Sequence, residues 1–500
     1  MYSIFYEELT TRLYPSSLVH SYGVNGKISG SVAAVGEMCG SVVAVLHAPQ
    51  GCAYHYRYSA RRRHQPFYSL LSSGITQQDI IFDAQEKLLS TVRDVWRRYQ
   101  PQLIILIPSP VSDILSEDLR GAAAKLQKEK IPAIAVQSEL FSHRDKNYSK
   151  NRLKKLAHQK ITGDNRLEIE LKGCGFTEVL YALVEQVMEP QEIIPGSVNI
   201  ETVGWGSEGR MVLREMETFL KKCGISVNTW IPSADIEAIR TAPKAQLNLV
   251  KRVRWAKRMK VVFGTDYLHL GGSGRYVGLE GIAVLYRDIA EKLGKVQEME
   301  GMLAEKMAQT YKAAEESRTY LEKQQCVLVC RDYSSAPFLL KLYAKSFGVG
   351  ISGVCLILTS ENRRSLGITD EVEQQLLGRI QEAVSLYAPE AVVVQNPSKE
   401  KMMKLFSSAS ALIGTNDFTL EGYGVPLIPA ETEMTSLSFE SWVRNIKRLE
   451  RRLRNAKNRE KLLLNRIPFQ EERFTNYDNE SSRSAREMWQ RMWLEKKEEE

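Results

Sequence analysis

Apolar residues fall in short blocks separated by helix-length stretches along the chain. SVVAVLHAP (41–49), QLIILIPSP (102–110), AIAVQS (133–138), SVNIETVGWG (197–206), SVNTWIP (226–232), MKVVFGTDYL (259–268), CVLVCRD (326–332), SGVCLILTS (352–360), EAVVVQNPS (390–398), SALIGTND (410–417) and VPLIPAE (425–431) each hold a run rich in Val, Ile and Leu. Several are apolar on consecutive rather than alternate residues, as in a strand covered on both faces. Their alternation with helices predicts parallel sheets in doubly wound α/β units.

The strands fall into three groups. A polar, Lys-rich piece (143–160) and a helix-like run (FTEVLYALVEQVME, 176–189) close the first, and a long helical stretch (281–325) separates the second from the third. The expected organisation is three Rossmann-like domains with central parallel sheets, at 1–192, 193–325 and 326–440, plus a charged helical C-terminal extension at 441–500. Within that extension the sequence predicts a charged helix, a break at 467–469, a polar loop and a last helix carrying Trp489 and Trp493.

Composition narrows the class. With 43% hydrophobic and 26% charged residues the chain is an ordinary soluble globular one, and 500 residues suit about three domains. No apolar block approaches the ~20 residues a membrane span requires. The N-terminus lacks an apolar signal core, and seven cysteines are too sparse for a disulfide scaffold, so a reducing cytoplasm is expected. Net charge is +8. Residues 444–466 alone hold ten Lys or Arg against two Glu, so the excess is one local basic helix and not a nucleic-acid-binding surface spread over the chain.

The densest candidate chemistry is Leu46-His47-Ala48-Pro49-Gln50-Gly51-Cys52, a thiol and an imidazole at the C-terminal end of a buried strand, where open α/β sheets bind ligands. A small residue buried in a tight turn is the alternative. Tyr54 to His64 follows as an aromatic and basic stretch, suited to an anion, a partner or simple solvation. Cys39 lies thirteen residues before Cys52, not a zinc spacing, and is either a metal partner for it or a small buried residue. Cys326 and Cys330 share one face of a strand and read, like Cys355, as core. Gly204-Trp205-Gly206-Ser207-Glu208-Gly209 has the GxGxxG spacing after a strand, but Glu208 would sit beside a bound phosphate and no acid ends the next strand. Gly271 to Tyr276 is a flexible loop with His269 before it and Arg275 within it, able to close over a ligand or merely to connect. No Walker A, HExxH, GxSxG or paired CxxC motif is present.

Several phrases together resemble the component 1 subunits of nitrogenase and its relatives. LHAPQGCAYHYR (46–57) is similar to that family's His-Gly-Pro-x-Gly-Cys cluster turn, with Ala48 in place of the usual Gly. Residues 71–119 are similar to the segment that follows it, ending at an acidic pair, here Glu117-Asp118. TAPKAQLNLV (241–250) resembles the phrase before the active-site cofactor's cysteine in alpha-type and assembly-scaffold subunits, and 274–294 and 422–446 resemble later segments.

The resemblance implies a subunit of a nitrogenase-like component 1 oxidoreductase complex. Such a complex receives electrons from an ATP-dependent iron–sulfur reductase and reduces a small molecule or tetrapyrrole, with a homologous sister subunit as partner. It also implies an iron–sulfur cluster shared with that partner. Here the sequence departs from the family, because of three expected cysteines only Cys52 is present. The upstream position falls near Asn25 to Lys27 and the downstream one near Ser109 or Pro110, so Cys39 or a partner would have to help. The cofactor cysteine's position falls near Arg252, and no histidine follows His269, so the classical iron–molybdenum cofactor is not expected. His47, Arg252, His269 and Arg275 are the candidate substrate-pocket residues, and Lys251, Arg254, Lys257 and Arg258 either line the same pocket or face solvent. A non-catalytic scaffold or cofactor-assembly subunit, paired with a cluster-bearing sister chain, is the alternative.

Overall fold

The computed structural model describes residues 27–62, 70–136, 175–202, 206–270, 275–330, 333, 336–358, 369–414, 425–430 and 438–463. The expected polar segment 143–160, the loop residues 271–274, Gly204, Trp205 and the tail beyond 463, with Trp489 and Trp493, lie outside them.

Three parallel sheets follow one another along the chain. The first contains β1 (Val42–Leu46), β2 (Leu70–Ser72), β3 (Leu103–Ile107) and β4 (Ala133–Ala135), in the order β2-β1-β3-β4. β5 (Ile194–Glu201), β6 (Ser226–Ile231), β7 (Ala245–Val250) and β8 (Asp266–His269) repeat that pattern as β6-β5-β7-β8. The third contains β9 (Cys326–Cys330), β10 (Ile351–Leu356), β11 (Val392–Gln395), β12 (Ala411–Gly414) and β13 (Leu427–Pro429), ordered β11-β10-β9-β12-β13. The chain therefore folds as three Rossmann-like units with parallel sheets.

β1, β3 and β9 are buried at every position, as their uninterrupted apolar runs require. Cys326, Cys330 and Cys355 lie in that core, and burial pushes the Cys326 and Cys355 thiols up to about 12. The helices obey local rules too. Ala84–Tyr99 is capped by the Asp83 carboxylate, ends in Arg97 and Arg98, and buries the stripe Leu88, Leu89, Val92 and Val95.

The run MKVVFGTDYL is two elements and not one strand. The helix Val253–Phe263 extends through its first half and stops at Gly264, whose φ of 78° is the left-handed helix cap that glycine favours. β8 then begins at Asp266.

The units are not separate cores. One apolar cluster joins the first unit to Ile231, Val250, Val253, Trp255 and Met259 of the second, and another runs from β5 through β9 to the last described helix, Phe439–Leu463. That helix buries Trp442, Ile446, Leu449 and Leu453 and lies along the helix Val296–Glu322. Lys306 meets Phe439, Tyr311 meets Trp442 and Arg454 stacks on Tyr320, so the two helices run in parallel. Among the described residues no helix is long and apolar enough to cross a membrane.

Candidate functional site

In each sheet the connections leave the first strand in one direction and later return on its other side, which opens a crevice at the carboxyl ends of two neighbouring strands. In the first sheet those strands are β1 and β3, and the His47–Cys52 turn leaves from that edge. The His47 N–H donates to the Ile107 carbonyl (2.9 Å), and the Ser109 hydroxyl donates to the His47 carbonyl (2.5 Å), so two segments are tied together at the crevice. Ser72 Oγ donates to the Ala48 carbonyl (2.7 Å). Pro49 then accepts from Cys52 N as the helix Gln50–Arg62 begins, which places Cys52, half-buried, in that helix's first turn.

His47 is fully buried. Its Nδ1 lies 2.9 Å from the Ser73 hydroxyl, while Nε2 is buried with no hydrogen-bond partner, and burial pushes the imidazole down to about 4. The ring is therefore neutral at physiological pH, with Nδ1 held by Ser73.

Cys39 and Cys52 do not converge. Cys39 is exposed in the turn before β1, where its N–H bonds the Ala234 carbonyl, whereas Cys52 follows the other end of that strand. Five residues at about 3.3 Å each put on the order of 15 Å between the strand's two ends. Cys39 is thus no co-ligand for Cys52, and among the described residues no group of three or more His, Cys, Asp or Glu is placed to hold a metal ion. Ser109, near the expected downstream ligand position, is buried and its hydroxyl is engaged by His47. Among the described residues Cys52 is the one thiol in this turn, and one thiolate does not hold an iron–sulfur cluster by itself.

The second crevice, between β5 and β7, holds Glu201 and Arg252. Both are buried and paired through Oε1 and a guanidinium nitrogen. The other carboxylate oxygen accepts the backbone N–H of Lys251, that of Arg252 and the Trp255 indole N–H, each at 3.0 Å. Arg252 also stacks on the Phe176 ring, 4.1 Å from its centroid. Burial, together with the Arg252 charge, pushes the Lys251 ammonium down to about 7 against the opposing pull of Glu201. His269 Nε2 lies 3.1 Å from the Lys251 carbonyl, so Arg252 and His269 do share one edge.

Of the cations read for a pocket, Arg252, Arg254, Arg258 and Arg275 are engaged in ion pairs. Arg275 is held bidentately by Asp288 (2.9 and 2.7 Å), which also accepts from the Tyr276 hydroxyl (2.7 Å). Arg254 bonds Glu178 (2.6 Å), and Arg258 and Arg120 both reach Glu185 (2.8 and 2.7 Å). Glu178 and Glu185 belong to the helix Gly175–Gln186, so Arg254 and Arg258 clamp the second unit onto the first, while Arg120 braces Glu185 from within the first. At the position read for the cofactor cysteine, Arg252 is paired with the Glu201 carboxylate.

The sequence did not single out Ser73, Glu201 or Asp288, and it marked Ser109 only as a position near a missing cysteine. Glu201 alone left a trace, as an acid closing an apolar strand. The hydroxyl contacts left none, because their partners lie 26 and 62 residues away.

Around the first crevice the surface is unexpectedly apolar. Ile81 is 75% exposed, Phe82 84%, Ile114 77% and Tyr54 69%. The segments carrying Phe82 and Ile114 adjoin, since Gln85 Nε2 donates to the Asp118 carbonyl (3.1 Å), and Glu117, raised chiefly by burial, also feels Asp83.

Residues 27–405 match the family model described as nitrogenase component 1 type oxidoreductase. A subunit of the light-independent protochlorophyllide reductase of Picosynechococcus is 24% identical over 62% of this chain and 60% of its own length. The nitrogenase molybdenum-iron protein alpha chain of Clostridium pasteurianum is 23% identical over 62% of this chain and 55% of its own. Component CfbD of the Ni-sirohydrochlorin a,c-diamide reductive cyclase complex from Methanothermobacter thermautotrophicus is 33% identical over 19% and 26%. The chain thus spans about 60% of the length of the first of these relatives. A solved structure of nitrogenase Cp1 at pH 6.5 superposes with a TM-score of 0.58 at 13% identity, covering 88% of this chain and 93% of that one.

Proposed function

The chain belongs to the nitrogenase component 1 type oxidoreductase family, and from that premise we propose that it is one subunit of a nitrogenase-like redox complex. The complex receives electrons from an ATP-dependent iron–sulfur reductase and reduces a small molecule or a tetrapyrrole. The observation that carries this reading is the His47–Cys52 turn, seated at the crevice of the first sheet with a half-buried thiol beside a buried imidazole whose Nε2 lacks a hydrogen-bond partner. When bound, an iron–sulfur cluster supplies one-electron transfer. Cys52 would give it one thiolate, and the remaining ligands would come from a sister subunit seated on the apolar surface of Tyr54, Ile81, Phe82 and Ile114. His47, neutral and oriented by Ser73, would offer a hydrogen bond or a lone pair in a dry environment without adding charge. On this reading the complex works in a reducing cytoplasm.

A second reading is favoured by the Glu201–Arg252 pair. If that internally neutralised position has replaced a cofactor ligand, the chain is a scaffold or cofactor-assembly subunit, and chemistry resides in the sister chain.

Both readings require the partner face. Anaerobic co-expression with the products of neighbouring genes should yield a stable hetero-oligomer, and Phe82→Asp with Ile114→Asp should dissociate it while leaving the fold intact. A complex that ignores those charges would refute the proposed interface. ATP-dependent electron uptake by the intact complex then separates the redox reading from the scaffold.

A further inference from the structure

The parallel helices Val296–Glu322 and Phe439–Leu463 leave between them a groove of about 820 Å³. Its floor is Phe439, Val443 and Ala313, and its walls bring Lys306, Arg444, Lys447, Arg448 and Arg451 together, with Glu440 the one carboxylate among the described lining residues. The cations of the last helix recur at 444, 447, 448 and 451, a row of one-turn spacing about 10 Å long on one helix face. Arg444 donates to the neutral Ser441 hydroxyl oxygen (2.6 Å), a bond that aims the guanidinium without cancelling its charge, and Arg448 donates to Asn445 Oδ1 (2.7 Å). The opposite face, Trp442, Ile446, Leu449 and Leu453, is already spent on the core.

We propose that this groove is a docking site for an acidic amphipathic helix of a partner protein. A concave channel with an apolar floor and a straight basic wall complements a helix carrying an acidic stripe beside an apolar one. Nucleic acid is disfavoured because no row of exposed aromatics accompanies the cations, and a lipid surface because the basic wall faces a cleft and not a plane. The groove lies between the helix Val296–Glu322 of the second unit and the helix Phe439–Leu463 and includes neither His47 nor Cys52, so it is independent of the redox reading.

The test is fluorescence anisotropy of the full-length protein with a labelled amphipathic peptide bearing a glutamate stripe at one-turn spacing beside a leucine stripe. Single-stranded DNA and phosphatidylserine vesicles serve as rival probes. The peptide should bind, and the triple reversal Arg444→Glu, Lys447→Glu, Arg451→Glu should weaken it by about tenfold or more, as should raised salt. The reversal Arg97→Glu, Lys128→Glu, Lys222→Glu, of equal charge but elsewhere, should leave it unchanged, and circular dichroism confirms that both variants fold. Absence of peptide binding, equal loss in both reversals, or tighter binding of DNA or vesicles would overturn the proposal. So would a gain in peptide affinity on removing residues 464–500, which would make the chain's own tail the occupant.

Discussion

Glu201 and Arg252 close a buried ion pair across the crevice of the second sheet, and the same carboxylate gathers three further N–H donors. The pair is asymmetric. Removing the carboxylate strands a buried guanidinium and three donors, whereas removing the guanidinium leaves a carboxylate that still accepts three bonds. Glu201→Ala should therefore cost about 3–5 kcal/mol or prevent folding, and Arg252→Met distinctly less. Urea unfolding of the two variants measures the order, and equal losses would refute it.

His47 makes stability depend on acid. Its folded pKa, near 4, lies below the unfolded value of 6.5, so the unfolded chain binds more protons between those values. The contribution is fully present above pH 6.5 and is lost as pH falls toward 4, a swing on the order of 3 kcal/mol. His47→Gln should flatten the melting-temperature profile over that window. An unchanged slope would mean the acid sensitivity arises elsewhere.

Gly281 lies where a Cβ would meet the Tyr276 backbone at 2.3 Å, a close approach that sets the turn carrying Arg275 and Tyr276 toward Asp288. Gly281→Ala should destabilise by about 1–3 kcal/mol through overpacking. Thermal melts compare it with Gly301→Ala, where a Cβ meets open space, and which should be neutral or stabilising.

The last helix belongs to the body of the protein. Trp442 is buried, donates through Nε1 to Ser346 Oγ (2.8 Å) and packs on Tyr311. Trp442→Ala should cost about 3–5 kcal/mol and open the helix to limited proteolysis. Protection equal to wild type would contradict this packing.

How much of this was legible in the sequence depended on whether a residue's partner was near it in the chain. β1, β3 and β9 announce themselves because burial on both faces demands unbroken apolar runs. β2 is only three residues long and leaves no comparable run. β7 does not read as a strand because Asn248 interrupts it. That asparagine is tolerated in a buried sheet because Asn228 donates to Asn199 and Asn199 to Asn248 (2.8 Å each), a ladder across three strands that no single strand reveals. Cys52 and His47 are visible as a motif, but the separation of Cys39 from Cys52 emerges only once β1 lies between them. Likewise the cations after β7 suggest an open pocket until Glu178, Glu185 and Glu201 supply their partners from elsewhere in the chain.

The central claim is that Cys52 contributes a thiolate to an iron–sulfur cluster shared across the subunit interface. Iron and acid-labile sulfide per complex, measured on the anaerobically purified hetero-oligomer of wild type and of Cys52→Ala, test it most directly. The account predicts iron and sulfide in the wild-type complex and their loss, wholly or largely, in a Cys52→Ala complex that still assembles. A wild-type complex without iron, or a variant retaining the full content, would contradict it.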